Sequence, residues 1–299
     1  MKFENYRNLA GLLCSFLAIG LFGCGLEAGA PGEFEEQELQ TGEREEVEPA
    51  EGLGEGPGAG TMTGTWLKVH AASSCVLNQE QVSYAYYLVE FEDDRRGLRE
   101  SKRLCGLDLS PLLGFRPVAS REVLESVEFV EIDQGLVTRY VPGGVYASAT
   151  EIGLWGLDLE DPLQDDVPTQ SDDERVVDSD GDGNPGVTLE LEGSGCSRFM
   201  GQRQVVRYFG EFVAPNDIRG RTATRTDMEV YGATAAICEL SPQVVPNDGE
   251  SEFRMVRIDG RGGAVDGDEN GDGQITCDDV ERWIEAIWER REPDASLCN

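Results

Sequence analysis

The sequence predicts a mainly β protein, an antiparallel sandwich or barrel with a small C-terminal loop-helix module. Three observations lead there. Short stretches of period-two alternation recur between residues 61 and 260. Clusters of Gly, Pro, Asn and Asp separate them at close spacing. No long helical period interrupts them before Val280.

Taken in order, residues 1–23 read as an export segment. Lys2 and Arg7 precede an apolar run, Leu9 to Phe22, that is too short to span a bilayer stably. The run ends Leu21-Phe22-Gly23-Cys24, which resembles a bacterial lipobox. That resemblance implies cleavage before Cys24 and acylation of its sulfur and new amino group. Acyl chains at about 0.8 kcal/mol per buried methylene would hold the protein at a membrane. Gly25 follows the cysteine, and the absence of Asp there favours the outer membrane or cell surface, with a periplasmic face as the other address. Residues 24–60 are rich in Gly, Pro, Ala and Glu, with Arg44 the only basic residue. Such a segment buries too little to offset its ordering entropy, so it is expected to be a disordered acidic tether. Its reach is on the order of 35 Å.

Residues 61–260 form the expected β domain. Val187, Leu189 and Leu191 alternate with Thr188, Glu190 and Glu192, the pattern of a strand with one buried face. From Ile218 to Tyr231, Arg219, Arg221, Arg225, Asp227 and Glu229 share one face. Ile218, Thr222, Thr224, Thr226, Met228 and Val230 share the other. Further strands are expected at Thr63 to Ala71, Val82 to Phe91, Val127 to Ile132, Leu136 to Val141, Val145 to Leu157, Val205 to Val213 and Phe253 to Ile258. Gly64-Thr65-Trp66 resembles the Gly-x-Trp that opens lipocalins. Nothing else of that pattern is present, so Trp66 reads as an aromatic core plug.

Residues 261–299 carry the most explicit chemistry. Counting Asp268 as position 1, oxygen-bearing side chains fall at position 3 (Asn270), 5 (Asp272), 9 (Thr276) and 12 (Asp279), with Gly273 at 6 and Ile275 at 8. Gln274, at 7, would offer its backbone carbonyl. Calcium takes six to eight hard oxygens at about 2.3–2.6 Å, and a twelve-residue loop supplies them from these positions. A start at Asp266 would put Gly273 at the apolar position and Cys277 at the closing acid, which fails. The loop resembles an EF-hand and, more closely, the calcium half-site of a dockerin, in which position 12 is usually Asp and no helix precedes. Val280, Trp283, Ile284, Ile287 and Trp288 then recur at helical spacing, predicting an amphipathic exiting helix. A second loop, with Asp178, Asp180 and Asp182 at 1, 3 and 5, Gly183 at 6 and Asn184 at 7, resembles thrombospondin type 3 calcium repeats. Its position 12 is Leu189, so Glu190 or Asp172, Asp173 and Glu174 would have to complete the shell.

A formal net charge of -33 over 299 residues and a pI near 4.2 leave few clustered cations, which argues against nucleic acid as a partner. With Cys14 and Cys24 assigned to export, Cys75, Cys105, Cys196, Cys238, Cys277 and Cys298 form an even set, favouring disulfides outside the cytoplasm. Proximity along the chain pairs Cys277 with Cys298. Order alone pairs Cys75 with Cys105 and Cys196 with Cys238.

No nucleophile elbow, phosphate loop or paired metal histidines are present, and the one histidine, His70, stands alone on an expected strand. The functional expectation is a membrane-anchored, calcium-binding lipoprotein whose β domain binds or scaffolds without catalysis, with a protein or glycan as partner. The rival is a surface-tethered, glycan-directed hydrolase.

Overall fold

Alternating side chains commit most of the chain to strands. The computed structural model describes residues 60–94, 97–111, 115–239, 244–268 and 270–298. The export segment, Cys24 and the tether up to residue 59 lie outside the described residues. In chain order the strands are β1 (Gly64–Val76), β2 (Gln79–Asp94), β3 (Gly97–Asp108), β4 (Arg116–Ala119), β5 (Glu128–Glu131), β6 (Leu136–Val137), β7 (Val145–Ala147), β8 (Glu151–Trp155), β9 (Val187–Glu192), β10 (Cys196–Ala214), β11 (Asp217–Ala233), β12 (Val244–Pro246) and β13 (Glu252–Arg257). Helix α1 (Arg121–Ser126) lies before β5, and α2 (Cys277–Ile287) follows the C-terminal loop.

Pairing is antiparallel throughout, in the order β3-β2-β1-β13-β11-β10-β7-β6. The two ends of that path meet. Leu98 of β3 bridges Gly135, next to β6, and the Gly135 N–H donates to the Leu98 carbonyl at 3.2 Å. The sheet is therefore a barrel, the second of the two architectures expected. Beyond β7, the long strand β10 pairs in turn with β8 and β9, which carry β5 and β4 on their outer edges.

On β1, Trp66 belongs to the interior core. Leu67, Val69 and Ala71 point outward yet are also buried, because α2 covers that wall. Val69, Ala71, Val82 and Tyr84 pack against Ile284, Ile287 and Trp288. Leu67, Leu88 and Ile258 pack against Val280 and Trp283. The expected amphipathic helix thus becomes an outer strap on the barrel.

One end of the barrel is plugged. Trp66 is fully buried, and its indole N–H donates to the Met62 carbonyl at 3.0 Å. The Arg257 guanidinium lies 6.0 Å from the ring centre, held by Asp259 at 2.8 Å and by the Thr63 carbonyl at 2.6 Å. Gly64, at φ 140, is required here because the Asp259 carboxylate occupies the space a Cβ would need.

The cysteines correct two expectations. Cys196–Cys238 forms as expected, but Cys277 joins Cys105 rather than Cys298, and Cys75 joins Cys298 rather than Cys105. The physical reason is the position of α2. Its N-terminus lies beside β3, bringing Cys277 and Cys105 to a Cα separation of 5.0 Å. The residues beyond it run on to the far end of β1, where Cys298 meets Cys75 at 5.5 Å.

Candidate functional sites

Short-range hydrogen bonds shape the C-terminal loop. The Asp268 carboxylate accepts from the backbone N–H groups of Gly271 (2.8 Å), Asp272 (3.2 Å) and Gly273 (2.8 Å). Asn270 accepts from Asp272 N–H and Asp272 from Gln274 N–H, each at 2.8 Å. Gly271 and Gly273 supply the left-handed φ values of 73 and 83 that this winding needs. Asp279, buried at the start of α2, accepts from the Thr276 N–H (2.9 Å) and hydroxyl (2.7 Å), closing the loop as a helix cap.

The second loop repeats the winding. Asp178 accepts from Asp182 N–H (3.0 Å) and Gly183 N–H (2.8 Å), and Asp182 accepts from Asn184 N–H (2.9 Å). Gly181 and Gly183 have φ values of 74 and 86. Thr188 performs the closure that its sequence left open. Its N–H donates to Asp180 (2.9 Å) and its hydroxyl to Asp182 (2.6 Å). Of the residues expected to complete the shell, Asp173 instead holds Arg175 at 2.8 Å, and Glu190 is exposed on β9.

One ligand atom from each of Asp178, Asp180 and Asp182 lies within 4.8 Å of the others; among the described residues, Asp268, Asp272 and Asp279 form no such group. Asp180 Oδ1 is buried with no hydrogen-bond partner, and burial, followed by the Asp182 charge, pushes its carboxyl upward. Burial also pushes Asp182 up, but Thr188 and Asn184 outweigh it and hold that carboxyl below its usual range. Convergent carboxylates with an orphaned oxygen are the donor chemistry that suits a hard divalent cation.

Inside the barrel, β3 turns charges inward. Fully buried Lys68 bonds Glu100 and lies 3.3 Å from Glu151, while Lys102 bonds Glu151. The Lys68 ammonium sits 4.2 Å from the Tyr208 ring centre, and that of Lys102 lies 4.5 Å from Phe129. Burial and the neighbouring Glu151 push Glu100 up. Glu151 is pushed up by burial but held down overall by Lys102 and Lys68. Half-buried Glu131 accepts from the Glu100 N–H at 3.2 Å, and burial followed by the Glu100 charge pushes it up to about 7. His70 is 1 % exposed, with Nε2 3.1 Å from the Thr222 hydroxyl. Burial first, then Lys102 and Lys68, lower its pKa to about 3, so it is neutral.

Past this charged layer, toward the end opposite Trp66, the barrel opens into a cavity of about 430 Å³. His70 and Tyr87 line it nearest the charges. Leu107, Trp155, Leu189 and Leu191 give it apolar surface, and Gln202, Gln204, Thr224 and Thr226 give it amide and hydroxyl groups. Sequence reasoning missed this cavity. The one available sign was the run of inward threonines on the Ile218 to Tyr231 strand. The expected arginine face of that strand is tied to acids, Arg221 to Glu252 and Arg225 to Asp227, each at 3.3 Å.

Fold and site together define a class: an antiparallel barrel, plugged at one end and hollow at the other, carrying two carboxylate-lined loops. Comparison with family models, curated proteins and solved structures finds no match for this chain.

Proposed function

We propose that the chain is a lipid-anchored, extracytoplasmic binding protein that takes a small ligand into the barrel cavity, with loops 178–188 and 268–279 ordered by calcium. The observation that carries the reading is the cavity itself. A volume of about 430 Å³, mostly apolar with a few convergent polar groups, falls in the range of small-molecule sites. Ion pairing of Glu100 and Glu151 to lysines supports binding over hydrolysis, since a carboxylate held by an ammonium is a poor base or nucleophile.

Calcium is supported by the winding the two loops share and by the convergence of Asp178, Asp180 and Asp182 in one of them. The ion would be held by Asp178, Asp180, Asp182 and Asn184 in one loop. In the other it would be held by Asp268, Asn270, Asp272, Thr276, Asp279 and the Gln274 carbonyl. Its role there is to neutralise clustered negative charge and fix the loops. Cys24 places the acyl anchor, with the outer membrane or cell surface as the address, and the bonded cysteines suit an oxidising compartment.

Calorimetric titration of the purified full chain with calcium, paired with thermal melts, tests this reading. A ligand at 100 times its Kd adds about 2.7 kcal/mol, or roughly 5–10 °C for a body of this size. No heat of binding, with a melt unmoved by chelator, would remove calcium from the account.

A further inference from the structure

The lining of the cavity narrows the chemistry of its ligand, an inference that rests on the cavity being the binding site. The chain has 58 acidic residues, yet none lines the cavity among the described residues. Its ionisable nitrogens are neutral His70 and Arg198, whose Nε already donates to the Cys238 carbonyl at 2.9 Å. A cation brought into this space would lose its water and meet no carboxylate, and an anion would have only Arg198, already hydrogen-bonded to the Cys238 carbonyl, against a lining otherwise uncharged.

The polar groups that do line it are uncharged and grouped. On adjacent strands β10 and β11, Gln204 faces Thr226 in register, Gln202 faces Met228 and Val206 faces Thr224. Thr224 Oγ1 is buried without a hydrogen-bond partner. A buried hydroxyl in that state favours any ligand that supplies the missing bond. Leucines from other strands and Trp155, which faces Gln202 across β8 and β10, supply the opposite character.

We propose that the cavity takes an uncharged amphiphile, with hydroxyl or amide groups on Gln202, Gln204, Thr224 and Thr226 and its hydrocarbon part on Leu107, Leu189, Leu191 and Trp155. The test titrates the calcium-loaded full chain with octyl glucoside, octanoate and octylammonium, each below its micellar concentration. Octyl glucoside is expected to bind at least tenfold more tightly than either ion. Gln204→Leu and the near-isosteric Thr226→Val are each expected to weaken it by about tenfold, the effect of one lost hydrogen bond. Melts of both variants identify any loss due to misfolding, and Thr226→Val decides if Gln204→Leu fails to fold. Octanoate or octylammonium binding as tightly as the glucoside would overturn the ligand class and leave cavity binding standing. Variants that bind octyl glucoside as tightly as the parent would overturn the proposal, because the glucoside would then be held by groups other than these. Binding of none of the three probes would overturn the class and the cavity reading together.

Discussion

The two acidic loops bend their first halves alike and end differently. In each, the first aspartate gathers the N–H groups of positions 5 and 6, the fifth-position aspartate takes the N–H of position 7, and glycines at 4 and 6 adopt left-handed φ. The second halves follow what comes next. One runs into β9 and closes on Thr188. The other runs into α2 and closes on Asp279, which also caps the helix. The winding is thus a local property of a few residues, whereas the closing group belongs to the element the loop serves. Attachment differs as well, since a disulfide ties only the C-terminal loop directly to the barrel, through Cys277.

The largest expected effect comes from cutting that tie. Cys105 and Cys277 are 172 residues apart, but Cys75–Cys298 shortens the loop their bond closes, and the link is then worth about 4 kcal/mol in the chain-entropy model. Cys105→Ala with Cys277→Ala should lower the denaturation midpoint accordingly. Calcium binding at residues 268–279 should weaken while that at 178–188 persists. Equal retention at both would show that the loops are equally autonomous and that the contrast is empty.

Next come Asp268→Ala and Asp178→Ala, compared side by side. Each should remove one of the two proposed calcium-binding events from the calorimetric titration. Asp268→Ala should lower Tm further, because α2 covers Val69, Ala71 and Val82 on the barrel wall. A larger drop for Asp178→Ala would reverse the ranking. The smallest effect belongs to Asp279→Asn, which keeps a cap acceptor and loses the charge. Stability should change by about 1 kcal/mol or less, while calcium affinity at that loop falls at least tenfold. An unchanged affinity would make Asp279 a cap and nothing more.

Local features were legible in the sequence. Loop spacings, the plugging Trp66, the two faces of β11 and the apolar stripe of α2 all depend on residues close in the chain. Strand β3 escaped because Glu100 and Lys102 turn inward, so its alternation reads as polar on both faces. The first half of β10 escaped for a related reason, with Gln202 and Gln204 pointing into the cavity. The expected strand from Val145 to Leu157 is split into β7 and β8, with Ser148 between them hydrogen-bonded to the Tyr208 backbone at 2.9 and 3.0 Å. Cysteine pairing failed because closeness along the chain was taken for closeness in space, and a strap lying on a wall inverts the two. The cavity is assembled from β1, β2, β3, β4, β8, β9, β10, β11 and β12, a convergence that no single stretch encodes.

The position of β1 constrains the order in which the molecule can mature. It lies at the centre of the sheet, with β13 as one neighbour, and its Cys75 waits 223 residues for Cys298. A chain emerging amino end first cannot close the ring until β13 is free, nor fasten the strap until Cys298 is. Locking of the strap therefore comes after closure of the ring, and loss of the residues around Cys298 would leave a closed sheet with an unpaired Cys75 thiol.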